Sequence, residues 1–327
     1  AAIARLAGVS APTVSRVLNG KPGVALDTRA RVEAIIQEHG YQRRDTTEPA
    51  AVLELVFHAL DSPWALEIIR GIEQATREHD VAVLLSEMEG QLTPDRAWTE
   101  RVLARRPMGV VAVFSELTVA QQSRLATRGI PLVVLDPTGE PLHDTPSVGA
   151  TNWSGGLTAA RHLIDLGHER IAMLGGPTQW PCCRARLDGY RAAMDASGVP
   201  VDPELVRVST LYVEGGLRGG RELLRLPDPP TAVFTTNDLQ ALGVYQAAAE
   251  AGLRIPDDLS VVGFDDLAFT QWSIPAMTTV RQPLVQMGAT AAKLALALAG
   301  GEPPEHSRVE LSTTLIVRDS TAPPRRG

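Results

Sequence analysis

The chain has 327 residues, 44% of them apolar and 21% charged, a length that calls for two or three domains and a balance that excludes general disorder. No run of eighteen apolar residues offers a membrane span. The only cysteines, Cys182 and Cys183, are adjacent, which excludes a disulfide framework and a thiolate zinc site. No charged-then-apolar signal segment opens the sequence, so a cytoplasmic location is expected. The net charge of −7 is uneven: residues 1–44 hold seven Lys/Arg against three acids, a net +4, and the rest carries −11. A small basic head on an acidic body suggests a head that meets phosphate, although chance could produce the same imbalance.

The head reads as three helices. Ala1–Ala7 is the first, with Ile3 and Leu6 on one face. Gly8-Val9-Ser10 makes a tight turn, and Ser10 is placed to accept the free N–H groups of the next helix. That helix runs over Ala11–Leu18, where Pro12 is tolerated in the first turn and Val14, Val17 and Leu18 face inward. Asn19-Gly20-Lys21-Pro22-Gly23 breaks it. A third helix near Thr28–His39 buries Val32, Ile35 and Ile36, and Gly40 closes it. Helix, glycine turn, helix and support helix describe a helix-turn-helix DNA reader, whose early second-helix residues face base edges. The alternative is an ordinary three-helix cap on an enzyme.

The stretch Gly8-Val9-Ser10-Ala11-Pro12-Thr13-Val14-Ser15-Arg16-Val17-Leu18-Asn19-Gly20 resembles the DNA-binding signature of the lactose/galactose-repressor (LacI) family, G-V-S-x-x-T-V-S-R-V-L-N. The resemblance places base readers at Ala11 and Pro12. It assigns further base and phosphate contacts to Ser10, Thr13, Ser15, Arg16 and Asn19. Two departures stand out. The sequence begins inside the first helix without Met, so further residues are expected ahead of it. Ala25 stands where a capping Ser is usual. The linker after Tyr41 is short and polar, and no Leu lies between Tyr41 and Val52 to wedge into a minor groove. Arg43 and Arg44 are therefore expected to contribute phosphate contacts with little kinking.

The body alternates strands and helices. Strands are expected at 52–57, 81–85, 109–114 and 132–135, with helices at 67–78, 95–105 and 120–128. A second series has strands at 171–174, 205–208, 232–235 and 260–264, with helices at 153–166, 184–197, 215–224 and 239–251. This pattern predicts two doubly wound lobes of parallel sheet, an α/β architecture with ligands at the strands' carboxyl ends. No G-x-G-x-x-G or Walker loop follows a strand. Gly175-Gly176-Pro177 and Gly215-Gly216 read as turns. Leu166-Gly167-His168-Glu169-Arg170-Ile171-Ala172, Val261-Val262-Gly263-Phe264-Asp265-Asp266 and Met277-Thr278-Thr279-Val280-Arg281-Gln282-Pro283 extend the family resemblance across the chain. It implies a periplasmic-binding-protein-like body whose chain crosses between lobes near 149, 282 and 309. The expected division is a reader over 1–44, a linker over 45–51 and an effector-binding body over 52–327. Lobe 1 takes about 52–149 and 283–309, and lobe 2 about 150–282 and 310–327.

Loops after strands supply the cleft candidates. Trp64 offers a flat apolar face for a sugar ring, or else packs in the core. Trp180, Cys182 and Arg186 follow the strand at 171–174. The resemblance implies that Arg186 holds effector hydroxyls or carboxylates; a surface ion pair is the alternative. Asn237 can donate and accept at once. Asp265 suits two neighbouring hydroxyls, or is a structural cap. Tyr212, Trp272 and Gln282, with Leu211, are further wall candidates. Three tryptophans on cleft-side loops point to a carbohydrate, including one longer than a single ring.

No catalytic constellation is legible. Asp265 and Asp266 are sequence neighbours whose side chains point apart, and neither G-x-S-x-G nor H-E-x-x-H occurs. No metal site or cofactor is expected. A vicinal disulfide between the cysteines would be strained. The sequence thus predicts a transcription regulator, a repressor of carbohydrate-utilisation genes whose operator affinity a sugar or oligosaccharide controls. The resemblance implies a homodimer on a pseudo-palindromic operator, and without a C-terminal leucine heptad no coiled-coil tetramer is expected. A solute-binding protein without DNA function and a sugar-converting enzyme are the alternatives.

Overall fold

The computed structural model describes residues 2–18, 23–38, 50–137, 145–302 and 304–325. The head holds α1 (Ala2–Leu6), α2 (Ala11–Leu18) and α3 (Leu26–Glu38). Their small core is Ile3, Ala7, Val14, Val17 and Val32. Leu6 corrects the sequence reading, because it is 56% exposed. In so short a helix Ile3 and Ala7, four residues apart, fill the inward stripe, and Leu6 falls to one side of it. Gly8 takes a left-handed φ of 64°, which lets α2 fold back within three residues. Ser10 caps α2, accepting from the Thr13 backbone N–H at 3.3 Å.

The body contains two six-stranded sheets. The first is built from β1 (Ala50–Phe57), β2 (Ala82–Glu87), β3 (Pro107–Val113), β4 (Leu132–Leu135), β5 (Ser147–Ala150) and β11 (Arg308–Leu311). Its order is β11-β5-β4-β3-β1-β2. The second comprises β6 (Ile171–Gly175), β7 (Val206–Val208), β8 (Ala232–Thr235), β9 (Ser260–Asp265), β10 (Thr278–Arg281) and β12 (Thr314–Ile316), in the order β12-β10-β9-β8-β6-β7. Central strands such as β3, β6 and β8 are near-continuous apolar runs, as strands covered by helices on both faces must be. Glu54 interrupts β1, and its buried carboxylate is satisfied by Arg105 and by the Ser86 hydroxyl.

The helices of the first lobe are α4 (Pro63–Arg77), α5 (Arg96–Arg105), α6 (Val119–Thr127) and α11 (Leu284–Ala299). Those of the second are α7 (Asn152–Asp165), α8 (Pro181–Ala196), α9 (Val213–Leu224) and α10 (Asp238–Glu250). Gly215-Gly216 is not a turn but the first stretch of α9. A Cβ on Gly216 would lie 2.1 Å from the Gln240 carbonyl oxygen, so glycine here lets α9 and α10 touch backbone to backbone.

The chain leaves the first sheet after β5, returns to it after β10 for α11 and β11, and ends on β12 in the second. Thr151 and Thr313, on two of these passages, are tied by a 3.0 Å bond from the Thr313 backbone N–H to Thr151 Oγ1. The second sheet is not wholly parallel, since β12 runs antiparallel to β10. Sequence periodicity also missed β5, β10, α11, β11 and β12.

Candidate functional site

The carboxyl ends of both sheets face a cleft with an empty volume of about 790 Å³, its open mouth included. The first lobe contributes Phe57, His58, Asp61, Trp64, Phe114 and Asp136, which follow or end β1, β3 and β4. The second contributes Trp180, Cys182, Arg186, Leu211, Tyr212, Asn237 and Asp265. Gln282, on the passage after β10, lies between them. Phe114, Asp136 and Asp265 all sit at strand ends with φ of 47°, 49° and 118°. Non-glycine residues held there store strain, and three of them around one cavity mark it as functional.

The second lobe supplies a fixed polar wall. Asn237 caps α10, its Oδ1 accepting from the Gln240 backbone N–H at 2.9 Å while its Nδ2 donates to the Leu211 carbonyl. Its expected double role is thus spent on the protein. Arg186 is buried; its Nε donates to Asn152 Oδ1 at 2.8 Å and its Nη1 to the Thr236 carbonyl at 2.7 Å. The guanidinium lies 3.7 Å over the Phe264 ring and 3.7 Å from Asp265 Oδ1. Gln282 Nε2 donates to the same Asp265 oxygen at 2.6 Å. Burial pushes the Asp265 carboxyl up to about 7, against the pull of Arg186 and Gln282. Asp266 faces elsewhere and pairs with Arg281 and Arg318.

The first lobe supplies rings. Trp64 and Phe114 meet edge to face at 6.3 Å, and Phe114 meets Trp180 of the opposite lobe at 4.8 Å. His58 stands 6.2 Å from the same indole. Trp180 precedes α8, so its ring reaches across the cleft from a helix start. Trp180 Nε1 and Gln282 Oε1 are buried without hydrogen-bond partners among the described residues. Burial, then the neighbouring Asp61, raises the Tyr212 hydroxyl above its ordinary pKa.

Two sequence candidates change meaning. Trp272 is 77% exposed and lies outside the cavity, because the short turn at Ala268–Gln271 turns it to the surface beside Ile274. Cys182 does line the cleft, but its thiol is held well above its usual pKa, first by its hydrogen bond with Cys183 and then by burial. The sulfurs are 3.9 Å apart and both cysteines are free. Phe114, Asp136 and His58 were missed. Asp136 ends an apolar strand as Asp265 does, and that was the available signal.

On the head, Ala11, Pro12, Ser15 and Arg16 form the exposed side of α2, with Thr13 half-buried and bonded to the Ser10 hydroxyl. Asn19, Arg43 and Arg44 lie outside the described residues. Among the described residues no three His, Cys, Asp or Glu side chains group to hold a metal, and no helix is long and apolar enough to cross a membrane.

Comparison with known proteins matches residues 2–44 to the model of bacterial regulatory proteins of the lacI family, and residues 160–321 to that of the periplasmic binding protein-like domain. The chain is 33% identical to the HTH-type transcriptional repressor CytR of Escherichia coli over 325 residues, covering 98% of this chain and 95% of that one. It is 36% identical to the HTH-type transcriptional regulator MalR of Streptomyces coelicolor, covering 99% and 97%. Among solved structures, the transcriptional regulator CelR–cellobiose complex superposes with a TM-score of 0.74 at 32% identity, covering 97% and 98%. The lac repressor dimer bound to operator and the anti-inducer ONPF gives 0.72 at 27% identity, covering 98% of each chain.

Proposed function

This chain belongs to the lacI family of bacterial regulatory proteins, and from that premise we propose which of its residues read DNA and which sense the effector. The protein is a sequence-specific DNA-binding transcription regulator, a repressor that responds to a sugar. The observation that carries the sensing role is the cleft itself: aromatic rings on one side, a buried Arg186–Asp265–Gln282 network on the other. Flat rings suit the apolar face of a sugar, and the network suits its hydroxyls. Trp64, Trp180, Arg186, Tyr212, Asp265 and Gln282 hold the effector; Asn237 and Cys182 shape the wall. A sugar that touches both lobes favours closure, and only that difference in affinity moves the heads.

Ser10, Ala11, Pro12, Thr13, Ser15 and Arg16, with Asn19, form the reading surface, and Arg43 and Arg44 add phosphate contacts. Ala11 and Pro12 have no side-chain donor, so they read thymine methyls by apolar contact. The functional units are a reader over 1–44, a linker over 45–51 and an effector body over 52–327. The regulator works in the cytoplasm and catalyses no reaction. Trp272 and Ile274 (93% exposed), two residues apart, are exposed apolar side chains that a homodimer would cover. The test is a fluorescence-anisotropy titration on sites selected from a random DNA library, repeated with glucose, ribose, cellobiose and maltose. Selection of one palindromic site, with affinity changed by a sugar, is expected. Binding without sequence preference would refute the reader, and conversion of any sugar to product would refute the absence of catalysis.

A further inference from the structure

The unpaired groups of the cleft differ in kind. Asp136 is 5% exposed; its backbone N–H donates to the Val148 carbonyl, but its carboxylate has no hydrogen bond or ion pair among the described residues. Gln282 donates its Nε2 to Asp265, which fixes its orphaned Oε1 as an acceptor. Against these acceptors stand the orphaned Trp180 Nε1 and, beyond the Nε and Nη1 bonds of Arg186, its Nη2. The charges are unequal. Asp61, Asp136 and Asp265 line the cavity, and Arg186 is the guanidinium among its described walls. Arg186 is already committed to Asn152, Thr236 and Asp265. The chain's two lysines, Lys21 and Lys293, lie on the head and on α11.

A ligand for this cleft must therefore bring a donor to the buried Asp136, and three lining carboxylates against one guanidinium favour positive over negative charge. An ammonium brings three donors and no acceptor. The rings of Trp64, Phe114 and Trp180 add faces and edges that attract a cation as well as a sugar ring. A bare amine would leave Trp180 Nε1 without an acceptor, so the ligand also carries hydroxyl oxygens.

Resting on the sugar-sensing reading above, we propose that the effector is an amino sugar, alone or β-linked, whose protonated amine pairs with Asp136. The desolvated carboxylate recovers a charged partner, and the ring hydroxyls remain for Asp265 and Arg186. Phosphorylated sugars are disfavoured, since Asp61, Asp136 and Asp265 face them against the single Arg186 among the described walls. Burial raises the Asp136 carboxyl above its ordinary pKa, against the pull of Arg186.

Calorimetric titration of the full chain at pH 7 tests this with matched pairs: glucosamine beside glucose, and the β-1,4-linked glucosamine dimer beside cellobiose. N-acetylglucosamine serves as the amine-blocked control, and glucose 6-phosphate as the anion. The amino member of at least one pair should bind about tenfold more tightly than its neutral and acetylated partners. Asp136→Asn, nearly isosteric, should abolish that difference, with its operator affinity without sugar reporting an intact fold. A neutral sugar that binds as tightly as its amino partner, or a preference that survives Asp136→Asn, would overturn the inference and leave sugar sensing intact. Should no sugar of either kind bind, both readings fall. If Asp136→Asn misfolds, Asp136→Glu replaces it, and should keep the amine preference while weakening both members.

Discussion

Trp64, Phe114 and His58 give the first lobe's wall of the cleft its rings, whereas Arg186, Asn237 and Asp265 give the second lobe's wall an interlocked set of hydrogen bonds. On the second wall Arg186, Asn237 and Asp265 are bonded to their own neighbours before anything binds, whereas the buried carboxylate of Asp136 on the first wall is not. Rings need no such bonds and serve as a surface to close upon. The two walls should therefore respond differently to substitution: the polar wall through stability and affinity together, the aromatic wall chiefly through affinity.

The largest effect belongs to Arg186→Met. It strands the buried Asp265 carboxylate without its cation, and breaking such a pair costs about 3–5 kcal/mol. Urea unfolding should show that loss, together with loss of effector response. An unchanged midpoint would mean that the polar wall is not held by charge, and the contrast between the walls would collapse.

Next comes Asp265→Ala, which removes charge-assisted hydroxyl contacts worth about 1.5–3 kcal/mol, roughly a ten- to hundredfold loss of effector affinity. Operator affinity without effector should stay as in the wild type, and where the effector relieves repression the variant is a repressor that no longer lets go. Effector titrated against a preformed operator complex measures it, and equal release midpoints would remove Asp265 from the site. The same residue predicts a pH effect. Its folded pKa of about 7 lies above the ordinary 3.8, so the folded state holds the proton more firmly. The stability this contributes is complete below pH 3.8 and is lost as pH rises through about 7. Asp265→Asn should flatten that fall in a series of unfolding curves.

The polar wall was the more legible in sequence. Asp265 and Asn237 end apolar runs, and a polar residue there must face the cleft or cap a helix. Asp136 follows Leu132–Leu135 in the same way, but it lies outside the segments that carry the family resemblance. Phe114 was read as the last residue of its strand, since only backbone geometry, a φ of 47°, reveals that the chain turns there. The amphipathic α4 showed its period, but α11, alanine-rich and apolar around much of its surface, has few polar residues to mark an outer face. The short β5, β10, β11 and β12 depend on partners distant in sequence, which no local pattern encodes.

Trp64→Ala tests the aromatic wall. Its backbone N–H, bonded to Ser62 Oγ, survives the change, so α4 keeps its cap. Loss of the ring should weaken effector binding by about 0.5–1.5 kcal/mol, and because the indole also packs on the first-lobe core it should lower the urea midpoint, though less than Arg186→Met. A stability loss as large as that of Arg186→Met would show that the indole is core, and would erase the distinction between the walls.

The smallest expected effect on the cleft is that of Trp272→Ala, which sets the boundary of the comparison. Sequence reasoning placed this indole among the rings of the sugar site. Its 77% exposure outside the cavity places it instead on the surface with Ile274. A side chain that touches no ligand cannot change affinity by contact, so effector titration should match the wild type within about twofold. Its apolar surface is free to be covered by a second subunit, so dimer dissociation measured by sedimentation should rise. The two readouts separate the possibilities. Weaker effector binding with an unchanged dimer would return Trp272 to the cleft and add a third ring to a wall that otherwise has none of its own beyond Trp180 and Tyr212. A weaker dimer with intact effector binding would confine the sugar site to the ends of the strands, where the left-handed residues Phe114, Asp136 and Asp265 already stand.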